Sequence, residues 1–214
     1  WMFKRHAGFD VVAYKGNGTA GHQLSHGLSK SPEMLWVKRM TLQNWGAWHH
    51  GLNGGSSPED YYLILNTDAA ESNDSDAFLS SAPTSTHVSL ANSAYANSNN
   101  QDYLMMLFSS VEGVSKCGFF EGNGSTNSIN CGFVPRFILT KRTQGSNDVW
   151  VTWDTHRPNP ITTSSSTAHG ELYPSTTDAE ASYSGRIKLT SNGFEMLGTS
   201  WNNDDDNFVY YAHA

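Results

Sequence analysis

The chain has 214 residues, a mass of 23.5 kDa, a formal net charge of −7 and an isoelectric point near 5.6. That acidity removes any electrostatic drive toward DNA, RNA or an anionic membrane surface, and no run approaches the roughly 18 apolar residues of a membrane-spanning helix. Charged residues make up only 15%, against about 25% in ordinary soluble domains; Ser, Thr, Asn and Gly take their place, as on secreted or virion β-proteins. Aromatic residues reach 12%, with 7 Trp, which is enough bulky apolar surface to exclude disorder.

In chain order, Trp1–Phe3 reads as the last strand of an upstream copy, because it precedes a first aromatic-Gly-Asn-Gly block as Met106–Phe108 precedes a second. With Trp rather than Met first, the expectation is the C-terminal piece of a longer repeat chain that ends naturally at Ala214. Strands are expected at Phe9–Tyr14, Met34–Lys38, Trp45–His49, Thr86–Leu90 and Tyr103–Phe108, then at Lys116–Glu121, Phe137–Lys141, Val149–Asp154, Arg186–Thr190, Phe194–Leu197 and Phe208–Ala212. Each is short, rich in β-branched or aromatic residues, and bounded by turn formers. The best helical candidate is one or two turns at Asp68–Ser72. Both Gly-Asn-Gly tripeptides and Ser191-Asn192-Gly193 read as tight turns, since Gly and Asn tolerate positive φ.

The strongest signal is an internal repeat. Tyr14–Thr19 recurs as Phe120–Ser125 at an offset of 106, and Pro32–Arg39 recurs as Pro135–Arg142 at 103. Trp45 and Trp48 recur as Trp150 and Trp153 at 105, Leu63–Glu71 as Leu172–Glu180 at 109, and Tyr103–Met106 as Phe208–Tyr211 at 105. Five blocks in one order with nearly constant offsets make a tandem duplication. The expected fold is all-β, with β-sandwich (jelly-roll, SPRY- or lectin-like) modules over 4–113 and 114–214 after the upstream strand 1–3. Two separate sandwiches and one interleaved sandwich both fit.

Several residue groups invite a chemical reading. Lys38-Arg39 and Lys141-Arg142 end equivalent strands and suit either an anion or sugar-acid site or a solvated strand end. Trp45 and Trp48, like Trp150 and Trp153, are three apart, so a strand sends one to the core and the other to the opposite face. The pairs His49/His50 and His22/His26 place no two imidazoles on one metal, and Asp154 stands opposite His49 in the second copy. The oxygen-rich loop Asn202–Asp206, matching Ser98–Asp102, suits a solvated turn or calcium. No other cofactor is implied. Cys117 and Cys131 fit no zinc spacing; a hairpin disulfide and two half-buried free thiols both remain open. No nucleophile elbow, phosphate loop or zinc-protease motif occurs. Glu59-Asp60, Glu171 and Glu180 are available carboxylates that nothing singles out for glycoside cleavage. The chain is read as a non-enzyme.

The blocks Phe9–Thr19, His26–Leu28, Pro32–Arg39, Leu172–Pro174 and Ser191–Phe194 resemble a repeat family of marine bacteriophage tail fibres with SPRY-like, lectin-like domains. The resemblance spans nearly the whole chain. It implies a virion protein whose β-sandwich modules touch the host surface, and it brings no catalytic residues. Cys117, Cys131 and the long Pro158–Glu171 segment depart from the pattern. The segments Gly51–Tyr62 and Thr155–Glu171 follow the Trp strand in each copy and differ most between copies, as a recognition surface would. Contact is therefore expected from His50, Asn53, Tyr61 and Tyr62 in the first and from His156, Arg157, Asn159 and His169 in the second. The expected partners are a host glycan or protein receptor and further copies of the chain, with a trimer favoured for avidity. A structural or decorating virion protein and a carbohydrate-binding module are the alternatives.

Overall fold

The computed structural model describes residues 8–41, 43–145 and 148–214. Trp1–Phe3, read above as an upstream strand, lies outside the described residues. The fold is all-β, and the chain divides into two compact units, 1–66 with 71–111 and 67–70 with 112–214.

Among the described residues the first unit has nine strands. They are β1 (Phe9–Lys15), β2 (His22–Ser25), β3 (Met34–Arg39), β4 (Trp45–His49), β5 (Tyr61–Ile64), β6 (Ser72–Asn73), β7 (Leu79–Ser81), β8 (His87–Leu90) and β9 (Asp102–Phe108). The second has β10 (Ser115–Glu121), β11 (Asn127–Asn130), β12 (Phe137–Arg142), β13 (Val151–Asp154), β14 (His169–Glu171), β15 (Ala181–Tyr183), β16 (Ile187–Thr190), β17 (Gly193–Met196) and β18 (Asn207–His213). All their pairings are antiparallel.

The first unit pairs β1-β9-β3-β4-β5-β6 in one sheet and β2-β8-β7 in another. The second repeats that order as β10-β18-β12-β13 and β11-β17-β16, with β14-β15 joined to β13 through a Thr152–Leu172 bridge. Each unit builds its own sheets, so no strands are interleaved. In the second unit a single apolar cluster draws Ile138, Val151, Trp153, Tyr210 and Ala212 from one sheet and Ile129, Ile187, Leu189, Phe194 and Met196 from the other. Alternate residues of each strand thus meet across a shared core.

The duplication extends to single contacts. Tyr14 stacks on Tyr103 at 5.1 Å with 9° between planes, and Phe120 stacks on Phe208 at 5.0 Å with 7°. The two Gly-Asn-Gly segments are not hairpin turns. They carry the chain from β1 to β2, and from β10 to β11, between different sheets. A fully buried Asn locks each corner. Asn97 accepts the Asn17 N–H at 2.9 Å and donates to Asn17 Oδ1 at 3.0 Å and the Thr19 carbonyl at 2.8 Å. Asn202 does the same with Asn123 (3.2 and 2.9 Å) and Ser125 (2.7 Å). Only the second glycine of each corner, Gly18 or Gly124, adopts positive φ (68° and 62°). The first is glycine for close approach: a Cβ would lie 2.2 Å from the Ser98 carbonyl oxygen at Gly16 and 1.9 Å from that of Asn203 at Gly122. Ser191-Asn192, by contrast, is the two-residue hairpin loop expected between β16 and β17.

Three expectations need correction. Asp68–Ser72 is not helical; it runs as irregular chain into β6. Lys141 is no solvated strand end but fully buried, donating to the Asp148 carbonyl and, at 3.3 Å, to that of Asp68. Its counterpart Lys38 donates to the Gln43 carbonyl at 2.5 Å. Arg142 pairs with Asp148 at 2.5 Å and Asp206 at 2.9 Å, and Arg39 donates to Gln101 at 3.3 Å. The Lys-Arg pairs are therefore staples that tie down loops, and their donors face internal acceptors rather than an anion. Finally, Trp48, Trp150 and Trp153 are all buried and only Trp45 is half-buried. In the second unit the face opposite the core is itself buried at Leu139, Val209 and Tyr211, so neither Trp reaches solvent.

Candidate functional site

The segment between the Trp strand and the next strand is where the copies diverge. Ala47 and Leu63 pair across a connection of 15 residues, and Thr152 and Leu172 across one of 19. In the first unit this segment folds into two 3-10 turns, Leu52–Gly55 and Pro58–Asp60. Asn53 there has φ 52°, and its N–H donates to Glu71 at 2.8 Å. Trp48 Nε1 donates to the Pro58 carbonyl at 2.8 Å, which seats the loop on the core. The His50 ring lies tilted against that of His49, 4.8 Å between centroids, and His50 donates its backbone N–H to the Glu33 carbonyl. Tyr61 accepts from Asn73 at 2.8 Å, and Tyr62 packs on Tyr95 at 5.2 Å. All four sequence-predicted residues of this copy are half-buried.

In the second unit the longer loop is held by ion pairs. The Asp154 carboxylate accepts the N–H groups of His156 and Arg157, each at 2.8 Å, and the Arg157 guanidinium at 2.5 Å. Burial pushes this carboxyl up, and those donors more than reverse the effect, leaving it below its ordinary value. Arg157 also bridges to Glu180 at 2.7 Å. Exposed His156 accepts from Arg136 at 2.9 Å, and exposed Asn159 donates to Ser182 at 3.0 Å. His169 is placed differently from the expectation of surface contact. It is 1% exposed, and burial, with the nearby Arg186 cation, holds its imidazole below the usual value. It begins β14, whose three residues all point into packed surroundings.

Behind this loop lies a polar cluster. Glu171 is fully buried, yet its carboxylate accepts from Arg186 at 2.7 Å, Tyr173 at 2.9 Å and Trp201 at 3.2 Å. Burial raises the Glu171 pKa, and Arg186, Tyr173 and Trp201 pull it partly back. The Arg186 guanidinium carbon sits 3.4 Å from the centroid of the Tyr183 ring. Tyr183 is 37% exposed. Among the described residues the first unit has no such cluster. The strand registers make Tyr62 the counterpart of Glu171 and Phe78 that of Arg186, and the corner asparagines make Ala96 the counterpart of Trp201, so apolar or neutral groups fill the equivalent positions. Sequence reading named Glu171 only as one available carboxylate and missed Arg186, Tyr183 and Trp201. The one usable signal was the charge pair appearing where the aligned copy carries Tyr and Phe.

Among the described residues, no group of three or more His, Cys, Asp or Glu is placed to hold a metal ion. In the loop weighed for calcium, Asn202 turns inward and Asp206 is paired with Arg142. His22 is bound to Asn97 at 3.0 Å and His26 to the Thr84 carbonyl at 3.1 Å, on separate partners. Cys117 and Cys131 are buried and form no disulfide, and burial pushes the Cys131 pKa up to about 11.

These features define a duplicated, antiparallel all-β protein in which one copy carries a buried charge cluster beneath an exposed aromatic. The chain belongs to the family described as a domain of unknown function (DUF7483), whose model matches residues 3–214. Comparison with curated proteins and with solved structures found no match to either.

Proposed function

We propose that this chain is a non-enzymatic recognition module of a bacteriophage particle, a tail-fibre or receptor-binding piece displayed on the virion exterior. The observation that carries the reading is the contrast between frame and loop. Strand order, corner asparagines and lysine staples are kept in both copies, while the connection after the Trp strand changes length, conformation and charge. Divergent loops on a rigid β frame are how binding specificity is varied without loss of fold. The family resemblance noted in the sequence points the same way and favours lectin-like modules in a homotrimer.

A second reading, a structural virion protein binding sister subunits, draws on the Phe119 side chain of β10, which is 42% exposed. Aromatic side chains are enriched at protein–protein interfaces. Adsorption distinguishes the readings. The purified chain, incubated with the bacterial host of its phage, is expected to bind cells saturably and to reduce particle adsorption. A chain that neither binds cells nor competes excludes the recognition reading.

A further inference from the structure

We infer that Tyr183, backed by Arg186, is a stacking platform for a neutral pyranose ring of a cell-surface polysaccharide. This rests on the recognition reading above and names the ligand class of its second unit. Tyr183 ends β15, which among the described residues pairs on one side only, with β14. The Arg186 guanidinium covers one face of the ring at 3.4 Å, so the 37% exposure of Tyr183 falls to its other face and edge. An aromatic ring held flat from behind and open in front matches the apolar C–H face of a sugar, with little side-chain entropy left to lose on binding.

What holds Arg186 is the buried Glu171 carboxylate, and this arrangement is unfavourable for folding alone. A buried ion pair rarely stabilises more than the apolar residues that could replace it. Here that replacement exists in the same chain, because Tyr62, Phe78 and Ala96 occupy the equivalent places in the first unit. The frame folds without the charges; the charges instead fix the guanidinium under the ring. The segments next to β15 also carry polar groups, the Asn159–Ser182 pair and Glu180. Local charge decides between neutral and acidic sugars. Asp154, Glu171 and Glu180 outnumber Arg157 and Arg186, and each guanidinium is already paired with a carboxylate, so a uronate would meet net negative charge.

The test is titration of the whole chain by NMR with maltohexaose, cellohexaose, laminarihexaose and mannohexaose, with hexamannuronate as acidic comparator. At least one neutral hexasaccharide is expected to bind with Kd of about 1 mM and to shift the Tyr183 ring resonances. Tyr183→Phe is expected to bind within about twofold and Tyr183→Ala at least about tenfold more weakly, with unchanged thermal unfolding. The inference is overturned if no neutral probe binds, if hexamannuronate binds more tightly, if the Tyr183 resonances stay still, or if Tyr183→Ala binds like the parent. Repeating the adsorption competition separates the two claims. If Tyr183→Ala still blocks adsorption fully, the platform fails and the recognition reading stands. If the parent binds sugar yet blocks nothing, the recognition reading fails and the platform stands.

Discussion

Lys141 shows how a single residue can be misjudged from its neighbours in sequence. A Lys-Arg pair at a strand end suggests solvent, but here the ammonium is fully buried and donates to two carbonyls. Burial pulls its pKa down to about 8, Asp148 and Asp68 oppose that fall, and Arg142 adds to it. The consequence for stability has a definite sign. Below pH 8 both folded and unfolded chains keep the proton. Above it the folded chain releases the proton while the unfolded chain, with a lysine near its ordinary 10.5, retains it. The unfolded state then binds more protons, so stability rises with pH between about 8 and 10.5. From pH 8 to 9 the gain is expected to be about 1 kcal/mol, read by urea denaturation. Cys131 works against it only from about pH 9 upward, because its folded pKa is raised from 9.0 to about 11. Subtracting the same curve for Lys141→Met removes that contribution. A parent-minus-variant difference that stays flat across the window would show Lys141 to titrate normally.

At the scale of the element, the corner between the first two strands of each unit is the most demanding piece of local structure. The sequence reading took its glycines as a pair needing positive φ. The structure divides the work: one glycine supplies the φ, and the other lets a carbonyl from the loop before the last strand come within reach. Gly122→Ala would drive a Cβ to within 1.9 Å of the Asn203 carbonyl oxygen, whereas a Cβ at Gly132, φ 82°, meets nothing within 4 Å. Chemical denaturation is therefore expected to give a loss of about 3 kcal/mol for Gly122→Ala and about 1 kcal/mol for Gly132→Ala. Equal losses would mean that backbone conformation, not close approach, selects both glycines. The same corner marks the limit of legibility. The long strands were readable because apolar and aromatic residues cluster over six or seven positions, as in β1, β3, β9 and β18. Short polar strands such as β2, β11 and β15 were not, because pairing rather than composition makes HQLS, NSIN and ASY extended. Asn97 and Asn202 lie 80 and 79 residues from the turns they lock, and Trp201 lies 30 from Glu171. No local window contains such partners, so the divergent loops were visible in sequence while the cluster behind them was not.

For the whole molecule, the decisive fact is that the first and last strands of each unit are neighbours, β1 beside β9 and β10 beside β18. A unit whose ends meet can be copied in tandem without threading one copy through the other, which explains how the sequence came to be doubled while the sheets stayed separate. It also ranks the strands by protection. β9 and β3 are hydrogen-bonded on both sides in the first unit, as are β18 and β12 in the second. β2 and β11 have four residues each, and their partners among the described residues are β8 and β17. Amide hydrogen exchange on the intact chain should therefore be slowest in β3, β9, β12 and β18 and faster in β2 and β11, because short strands with few ladder bonds open locally at lower free energy. Equal protection in all six strands would mean that each unit opens only as a whole, with no ranking by position in the sheet.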